Sequence, residues 1–385
     1  MPVVSDLGGS GGAERLFSHL HEFLTTRHDA DVTLVTSAAA LRLLQAAGRL
    51  TTPTRVLALD LGARPGRGRA GVVRMTARLL AATFRERFDV VHLCLPSPIY
   101  APFAAVLTRL SGVRRTKVTL TVIDCTLASS LEAPPPVGTY ERQVLDAHAM
   151  YARWARIDGT YSWYRAYVDA VARGANHTTG GLVRAARFCF TEPDRFKPAP
   201  VKDRVVVFAG RLSEQKRPLL FVDAVAALRR RHPGLIEGWR FEIYGRGVLQ
   251  EQVDARIADH ELTDIVRCTH AIDLAPIFSR SRLFVSTQAF ENFTSLAMLE
   301  AMSSGNAIVA EDIGQTREFV RHGENGYLVE AATPDGFAAA MAEYIGHPER
   351  HDAMAGASRA IVTDVHTIEH FAEDILTFWR DVLRT

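Results

Sequence analysis

Two apolar runs, Leu283-Phe284-Val285 and Ala307-Ile308-Val309-Ala310, bracket a stretch that reads VSTQAFENFTSLAMLEAMSSGNAIVA from Val285 to Ala310. Short apolar runs on either side of a helical pattern mark consecutive parallel strands joined by a crossover helix. That commits this part of the chain to an open α/β sheet. Ligands in such sheets bind beyond the strand C-terminal ends, where the loop after Val285 must lie. Glu291 opens this loop and Glu300 sits inside the helix that follows. Between them, Asn292-Phe293-Thr294-Ser295 leads to Leu296 and brings the backbone N–H groups of a helix N-terminus, a ready place for a phosphate. A phosphate with a polyol beside it would use every part of the segment.

A second apolar strand, Val205 to Ala209, ends at Gly210 and then presents Arg211 and, five residues later, Lys216. Of 45 Lys and Arg residues only Lys117, Lys197, Lys202 and Lys216 are lysine. In a chain so biased toward arginine, a retained lysine suggests a place where a compact ammonium matters, because the two cations differ in geometry and hydration. A solvated loop charge remains the plain alternative.

These residues resemble the nucleotide-sugar glycosyltransferases of family 4. That family has G-R-x-x-x-x-K after the first strand of its C-terminal domain and E-x7-E before E-A-M. The chain has Gly210-Arg211-Leu212-Ser213-Glu214-Gln215-Lys216, and Glu291 followed by Glu300-Ala301-Met302. It also has Gly245-Arg246-Gly247 after Phe241 to Tyr244, and a late Asn325-Gly326-Tyr327-Leu328-Val329. The likeness is strong from Arg204 to Val329 and looser before it. One departure is the spacing between the glutamates, which is E-x8-E here.

The resemblance implies the GT-B fold: two Rossmann-like α/β domains facing each other across a cleft, with the C-terminal helix returning to the N-terminal domain. Residues 1–197 would bind the acceptor, 198–365 the nucleotide sugar, and 366–385 would form the returning helix. It implies transfer of a sugar from a UDP- or GDP-sugar to a hydroxyl of a small-molecule or glycan acceptor, with retention at the anomeric carbon and with no bound cofactor or metal. Arg211 and Lys216 would neutralise the diphosphate, helped by the amides of Thr294, Ser295 and Leu296. Glu291 would hold the transferred sugar and Glu300 the ribose. Gly210 and Gly245 would line the donor, and His270 to Ile272 would border the base. A nucleotide-sugar isomerase of the 2-epimerase kind on the same fold, and a noncatalytic sugar-nucleotide-binding protein, are the alternatives.

At 385 residues the chain exceeds one usual core. A formal charge of +2 is too mild to argue for nucleic acid. Cys94, Cys125, Cys189 and Cys268 show no C-x-x-C spacing and read as reduced, buried thiols. With no signal-peptide pattern and no apolar run of spanning length, a cytoplasmic protein is expected, with the inner face of the membrane as a further option. Eight arginines fall between Arg55 and Arg87 against Asp60 and Glu86. The segment 64–87 could make weak peripheral contact with anionic lipid, although charge runs more often simply solvate. Oligomeric state is not legible.

In the N-terminal half, strands are expected at Val32 to Thr36, Arg55 to Leu59, Val90 to Leu95 and Lys117 to Ile123, with helices at Ala13 to Thr25 and Val72 to Phe88. Tyr140 to Arg173 reads as helical and aromatic-rich, and Phe196 to Lys202 as a proline-marked linker. The glycines of Gly8-Gly9-Ser10-Gly11-Gly12 let a backbone approach a ligand closely. They form no G-x-G-x-x-G, and the resemblance places Gly11 and Gly12 in the cleft. Asp124, at a strand end where family members often carry a neighbouring histidine, could bond the sugar or acceptor, or equally serve as a turn cap. The pairs His347/His351 and His366/His370 have metal-ligand spacing but read as solvated. Asp29-Ala30-Asp31 precedes a strand, the wrong side for a metal diphosphate.

Overall fold

The computed structural model describes residues 3–4, 12–27, 31–38, 41–42, 45, 56–59, 68–85, 88–93, 101–114, 116–175, 180–271, 273–293 and 295–385. By its contacts the chain divides into two compact units: Met1–Phe188 together with Ile368–Thr385, and Cys189–Thr367.

In the first unit the described strands β1 (Val3–Val4), β2 (Leu34–Ser37) and β3 (Val56–Leu59) form one parallel sheet. A second parallel sheet runs β4 (Val90–Leu93), β5 (Lys117–Val122), β6 (Gly159–Ser162) and β7 (Leu182–Ala185). Helices Gly12–Arg27, Gly68–Arg85, Ala101–Arg114 and Tyr140–Trp154 alternate with these strands. Apolar residues from three of these helices and from the strands beside them, among them Leu79, Phe103, Leu107, Val118 and Tyr151, share one core.

The stretch expected to be helical throughout from Tyr140 to Arg173 is instead helix Tyr140–Trp154, strand β6 and helix Arg165–Ala172. Strand β6 reads only Gly-Thr-Tyr-Ser, yet all four residues are buried. Its glycine is required by the close approach of the last helix, Ile368–Arg384: a Cβ at Gly159 would sit 2.6 Å from Val382 Cγ2. The Tyr161 hydroxyl donates to Asp374 Oδ2 at 2.6 Å, and its ring meets Phe371 and Phe378. Arg184 pairs with Asp381 at 2.6 Å, and Trp379 Nε1 reaches His92 Nδ1 at 3.2 Å. The C-terminal helix thus packs on the N-terminal unit through its apolar face and through polar contacts that include these and the Arg187 N–H donating to Asp374 Oδ2 at 3.1 Å.

The second unit has one six-stranded parallel sheet, ordered β10 (Val266–Thr269), β9 (Arg240–Tyr244), β8 (Val205–Ala209), β11 (Leu283–Ser286), β12 (Ala307–Glu311) and β13 (Gly326–Val329). All residues of β8 and β11 are buried, the continuous apolar pattern of strands covered on both faces. Val206, Phe221, Val225, Phe241, Val285, Val309 and Met341 join sheet and helices in one core. Proline opens the helices Pro218–Arg231 and Pro334–Gly346, where its missing N–H costs nothing.

Phe196 to Lys202 is not a free linker. The Phe196 carbonyl accepts from Ser303 Oγ at 2.9 Å, Ala199 N–H donates to the Ser279 carbonyl at 3.0 Å, and Lys202 Nζ donates to the carbonyls of Ser281 and Ser304 at 2.6 and 2.7 Å. The division between units falls earlier than the expected 197/198, at Phe188 and Cys189, because these bonds tie the prolines into the second unit. Cys189 is buried, while Cys125 and Cys268 are only half-buried; Cys94 lies outside the described residues. Two of the histidines expected in solvent are buried as well. His366 packs on Phe319 and lies beside Cys189, and His351 stacks on Tyr344 with Nε2 at 2.8 Å from its carbonyl. Among the described residues no helix is long and apolar enough to cross a membrane.

Candidate functional site

Strand order in the second unit reverses at β8. The chain runs outward from β8 through β9 to β10, then returns to place β11 on the other side of β8. Such a switch point opens a crevice at the strand C-terminal ends. The two loops there are Gly210–Arg217 after β8 and Thr287–Ser295 after β11, the two segments that the sequence singles out.

Backbone and side chains bind the loops to each other. Ala289 N–H donates to the Gln215 carbonyl at 2.9 Å, and the Thr287 hydroxyl donates to the carbonyls of Lys216 and Arg217, each at 2.9 Å. The Lys216 ammonium donates to Gln288 Oε1. Gln288 Nε2 in turn donates to the Phe290 and Glu291 carbonyls at 3.1 and 2.6 Å. Lys216 is therefore aimed along the loop that leads to the helix Leu296–Ser303. Arg211 is exposed at the same strand end.

Arg217 stands in the left-handed region at φ 46°, uncommon for a residue with a side chain and a mark of stored strain near functional sites. Its guanidinium pairs with Glu311 at 2.9 Å. Gly210 and Gly245 sit where the chain leaves the neighbouring strands β8 and β9: Gly210 N–H donates to the Tyr244 carbonyl at 3.0 Å, and a Cβ on Gly245 would collide with the Gly210 carbonyl.

The helix N-terminus has no side-chain cap from Ser295. Its first N–H groups begin at Leu296, and this is what a phosphate would meet. The Ser295 N–H is bonded within the loop, to the Asn292 carbonyl at 2.8 Å. Asn292 is fully buried: Ser286 Oγ donates to its Oδ1 at 2.6 Å, while its Nδ2 and N–H lie 3.2 and 3.3 Å from Thr316 Oγ1. Phe293 is buried against Phe319. Asn292 and Phe293 thus anchor the loop through buried contacts. Thr294 lies outside the described residues.

Glu291 is half-buried, with Oε2 accepting from the Gln315 N–H at 2.8 Å. Gly314, at φ 54°, makes room for it: a Cβ there would lie 2.5 Å from Glu291 Cβ. Glu300, inside the helix Leu296–Ser303, is 2% exposed. His270 is exposed just past β10, at the far edge of the sheet, and Ile272 is outside the described residues. The partners Gln288, Thr287, Glu311 and Gly314 escaped sequence reasoning. Only Gly314 carried a signal, as a glycine after a strand.

Asp124 belongs to the other unit. Its Oδ1 accepts from Thr126 N–H at 2.9 Å and Thr126 Oγ1 at 2.6 Å, the turn-cap arrangement. Asp124 also lines a pocket at the end of β5 with Ile123, Leu127, Tyr151 and the buried His148, whose Nε2 lies 3.1 Å from the Tyr167 hydroxyl. Gly12 opens the first helix; Gly11 is outside the described residues. Among the described residues no group of His, Cys, Asp and Glu is gathered as a metal site.

Residues 203–347 match the family model for group 1 glycosyl transferases. The chain is 29% identical over 191 residues to a D-inositol 3-phosphate glycosyltransferase of Acidothermus cellulolyticus, covering 48% of this chain and 42% of that protein. It is 27% identical over 129 residues to the GtfA subunit of a UDP-N-acetylglucosamine–peptide N-acetylglucosaminyltransferase of Streptococcus pneumoniae, covering 33% and 25%. These matches span less than half of either relative. Among solved structures, HepE of Anabaena in complex with UDP and glucose aligns over 98% of both chains at TM-score 0.72 and 18% identity. Sucrose-phosphate synthase of Thermosynechococcus elongatus aligns over 100% of this chain and 99% of its own at TM-score 0.75 and 17% identity. The whole chain thus has the two-unit α/β fold of the GT-B class, and its sequence likeness to group 1 glycosyl transferases is carried by residues 203–347.

Proposed function

We propose that the chain is a family 4-like glycosyltransferase that moves a sugar from a nucleoside diphosphate sugar to a hydroxyl acceptor, with retention and without a metal ion. The observation that carries this reading is the joining of the Arg211–Lys216 loop to the loop of an uncapped helix N-terminus at the switch point of a parallel sheet. When the bond from the anomeric carbon to the diphosphate breaks, its electron pair goes to the departing phosphate oxygen. Cations and N–H groups already in place stabilise that charge as it develops. The acceptor oxygen bonds to the same carbon, and its proton passes to the departing phosphate oxygen. Arg211 and Lys216 act on the diphosphate, the Leu296 end of the helix adds donors, and Glu291 orients the sugar. Glu300 meets the ribose, and Asp124 faces the acceptor.

The structures of HepE with UDP and glucose, and with UDP-glucose, favour a UDP-sugar over a GDP-sugar. The relatives named above are transferases, which favours transfer over isomerisation or mere binding. Incubation with a panel of nucleotide sugars, without and then with alcohol acceptors, tests the reading. One UDP-sugar is expected to be hydrolysed slowly alone and consumed faster with an acceptor. Conversion of a nucleotide sugar to its epimer, or binding without turnover, would refute it.

A further inference from the structure

The chain carries a net charge of only +2, yet residues 61 to 123 hold eleven Lys or Arg against two acids, Glu86 and Asp89, a local net of +9. The helices Gly68–Arg85 and Ala101–Arg114 contain no acidic residue at all. They pack on one another through Met75, Leu79, Phe103 and Leu107, so their outer faces are neighbours.

On the outer face of Gly68–Arg85, the residues Val73, Arg74, Ala77, Arg78, Ala81 and Arg85 are exposed at helical spacing. On the next helix the exposed row is Val106, Arg109 and Leu110. Arg109 then links it to a third element: its Nη1 donates to the Ala105 carbonyl at 3.0 Å and to the Trp154 carbonyl at 3.1 Å. Arg153, Trp154 and Arg156, at the end of helix Tyr140–Trp154, are exposed beside it. Four of the large apolar side chains most open to solvent meet here: Val73 at 67%, Leu110 at 43%, Trp154 at 40% and Val106 at 37% exposure.

We propose that this face of the first unit binds the surface of an anionic lipid bilayer. Aliphatic side chains and an indole set among arginines match an interface that is apolar below and negatively charged above. The charge sign argues against the other occupants. A second copy docking face to face would bring arginines against arginines. A nucleic acid would meet the cations but leave Val73, Val106 and Leu110 without a partner, since its backbone is read by charge. The sequence pattern within residues 64–87 marks only the first of these helices; the rest of the face comes from Ala101–Arg114 and the end of Tyr140–Trp154. The inference does not depend on the donor chemistry of the second unit.

The test is co-sedimentation of the full chain with vesicles of phosphatidylcholine alone and of phosphatidylcholine with 30 mol% phosphatidylglycerol. Binding is expected only to the anionic vesicles, weakening as salt is raised. Each elementary charge near such a surface is worth about a fivefold change, so Arg74→Glu with Arg153→Glu should lower partitioning by more than roughly a hundredfold. Val106→Ser with Leu110→Ser should also lower it, which a purely electrostatic contact would not show. Trp163 and Trp239 are buried and Trp379 is half-buried against His92, so a blue shift of fluorescence on binding that is lost in Trp154→Phe and kept in Trp379→Phe would place this face against lipid. No binding to anionic vesicles at low salt would overturn the proposal, as would equal binding by the charge-reversed variant. Duplex DNA binding that competes with vesicles and ignores the Val106 and Leu110 changes would assign the face to nucleic acid. Self-association abolished by those changes would assign it to a second copy.

Discussion

Lys216 donates to Gln288, and a phosphate oxygen would compete for that same ammonium. Hydrogen bonds to charged groups contribute about 1.5 to 3 kcal/mol each, so Lys216→Ala and Arg211→Ala should each lower kcat/KM by roughly tenfold to a hundredfold with little change in melting temperature. Lys216→Arg should be impaired too, since a planar fork does not replace a compact ammonium. Normal kinetics in a folded variant would remove the phosphate assignment. The two glutamates should separate. Glu300, buried in the helix after the loop, is expected to set nucleotide affinity, so Glu300→Gln should weaken UDP binding in calorimetry. Glu291→Gln should leave UDP binding intact and lower turnover. Gly314→Ala gives an independent check on Glu291. The methyl group presses on that side chain from a left-handed backbone, so turnover should fall while UDP affinity holds. Wild-type turnover in Gly314→Ala would show that the position of Glu291 is immaterial.

At the scale of elements, the returning helix Ile368–Arg384 is held partly through a neutral histidine. His92 is wholly buried between Thr119 Oγ1 at 2.8 Å, Thr121 Oγ1 at 2.5 Å and Trp379 Nε1 at 3.2 Å. Burial drives its pKa well below the ordinary 6.5. With the folded pKa depressed, the unfolded chain takes up the proton first. The stabilisation is complete above pH about 6.5 and declines as pH falls toward the folded value. The melting temperature should therefore drop between pH 7.5 and 5. His92→Gln should flatten that drop while costing stability at pH 7.5; an unchanged pH dependence would assign it to other histidines such as His21, which burial lowers to about 4. The same region shows what the sequence could not carry. Strands β8, β11 and β12 were legible because burial on both faces leaves unbroken apolar runs. Strand β6 was not, because its Gly-Thr-Tyr-Ser is selected by helix residues more than two hundred positions later, Asp374 and Val382. Strand β7 is a half-buried edge, Leu-Val-Arg-Ala, with no such run. The cations and glutamates of the site were legible as types at a spacing. Their neighbours are set by the tertiary fold: Gln288 lies in the loop after β11, Glu311 ends β12 and Gly314 follows it, and the left-handed Arg217 follows from no local preference.

At the scale of the whole molecule, the expected division of labour assigns the donor to one unit. Arg211, Lys216, Glu291, Leu296 and Glu300 all fall within Cys189–Thr367, whereas Gly12, Asp124 and the pocket at the end of β5 fall within the unit that includes the C-terminal helix. If that division holds, nucleotide affinity is a property of the second unit and transfer needs both. Gly12 opens a helix directly after a glycine-rich stretch, where a bare backbone permits close approach of a ligand. Gly12→Val is therefore expected to cut transfer to an alcohol acceptor by at least tenfold, as an acceptor displaced from reacting distance forfeits the advantage of orientation. UDP affinity should stay within about twofold of the parent, and so should slow hydrolysis of the donor, since water needs no acceptor site. Measuring all three on one preparation separates the cases. Transfer lost with hydrolysis and UDP binding kept places the glycine loop on the acceptor side. Loss of UDP binding would move Gly12 to the donor, and normal transfer would take it out of the site.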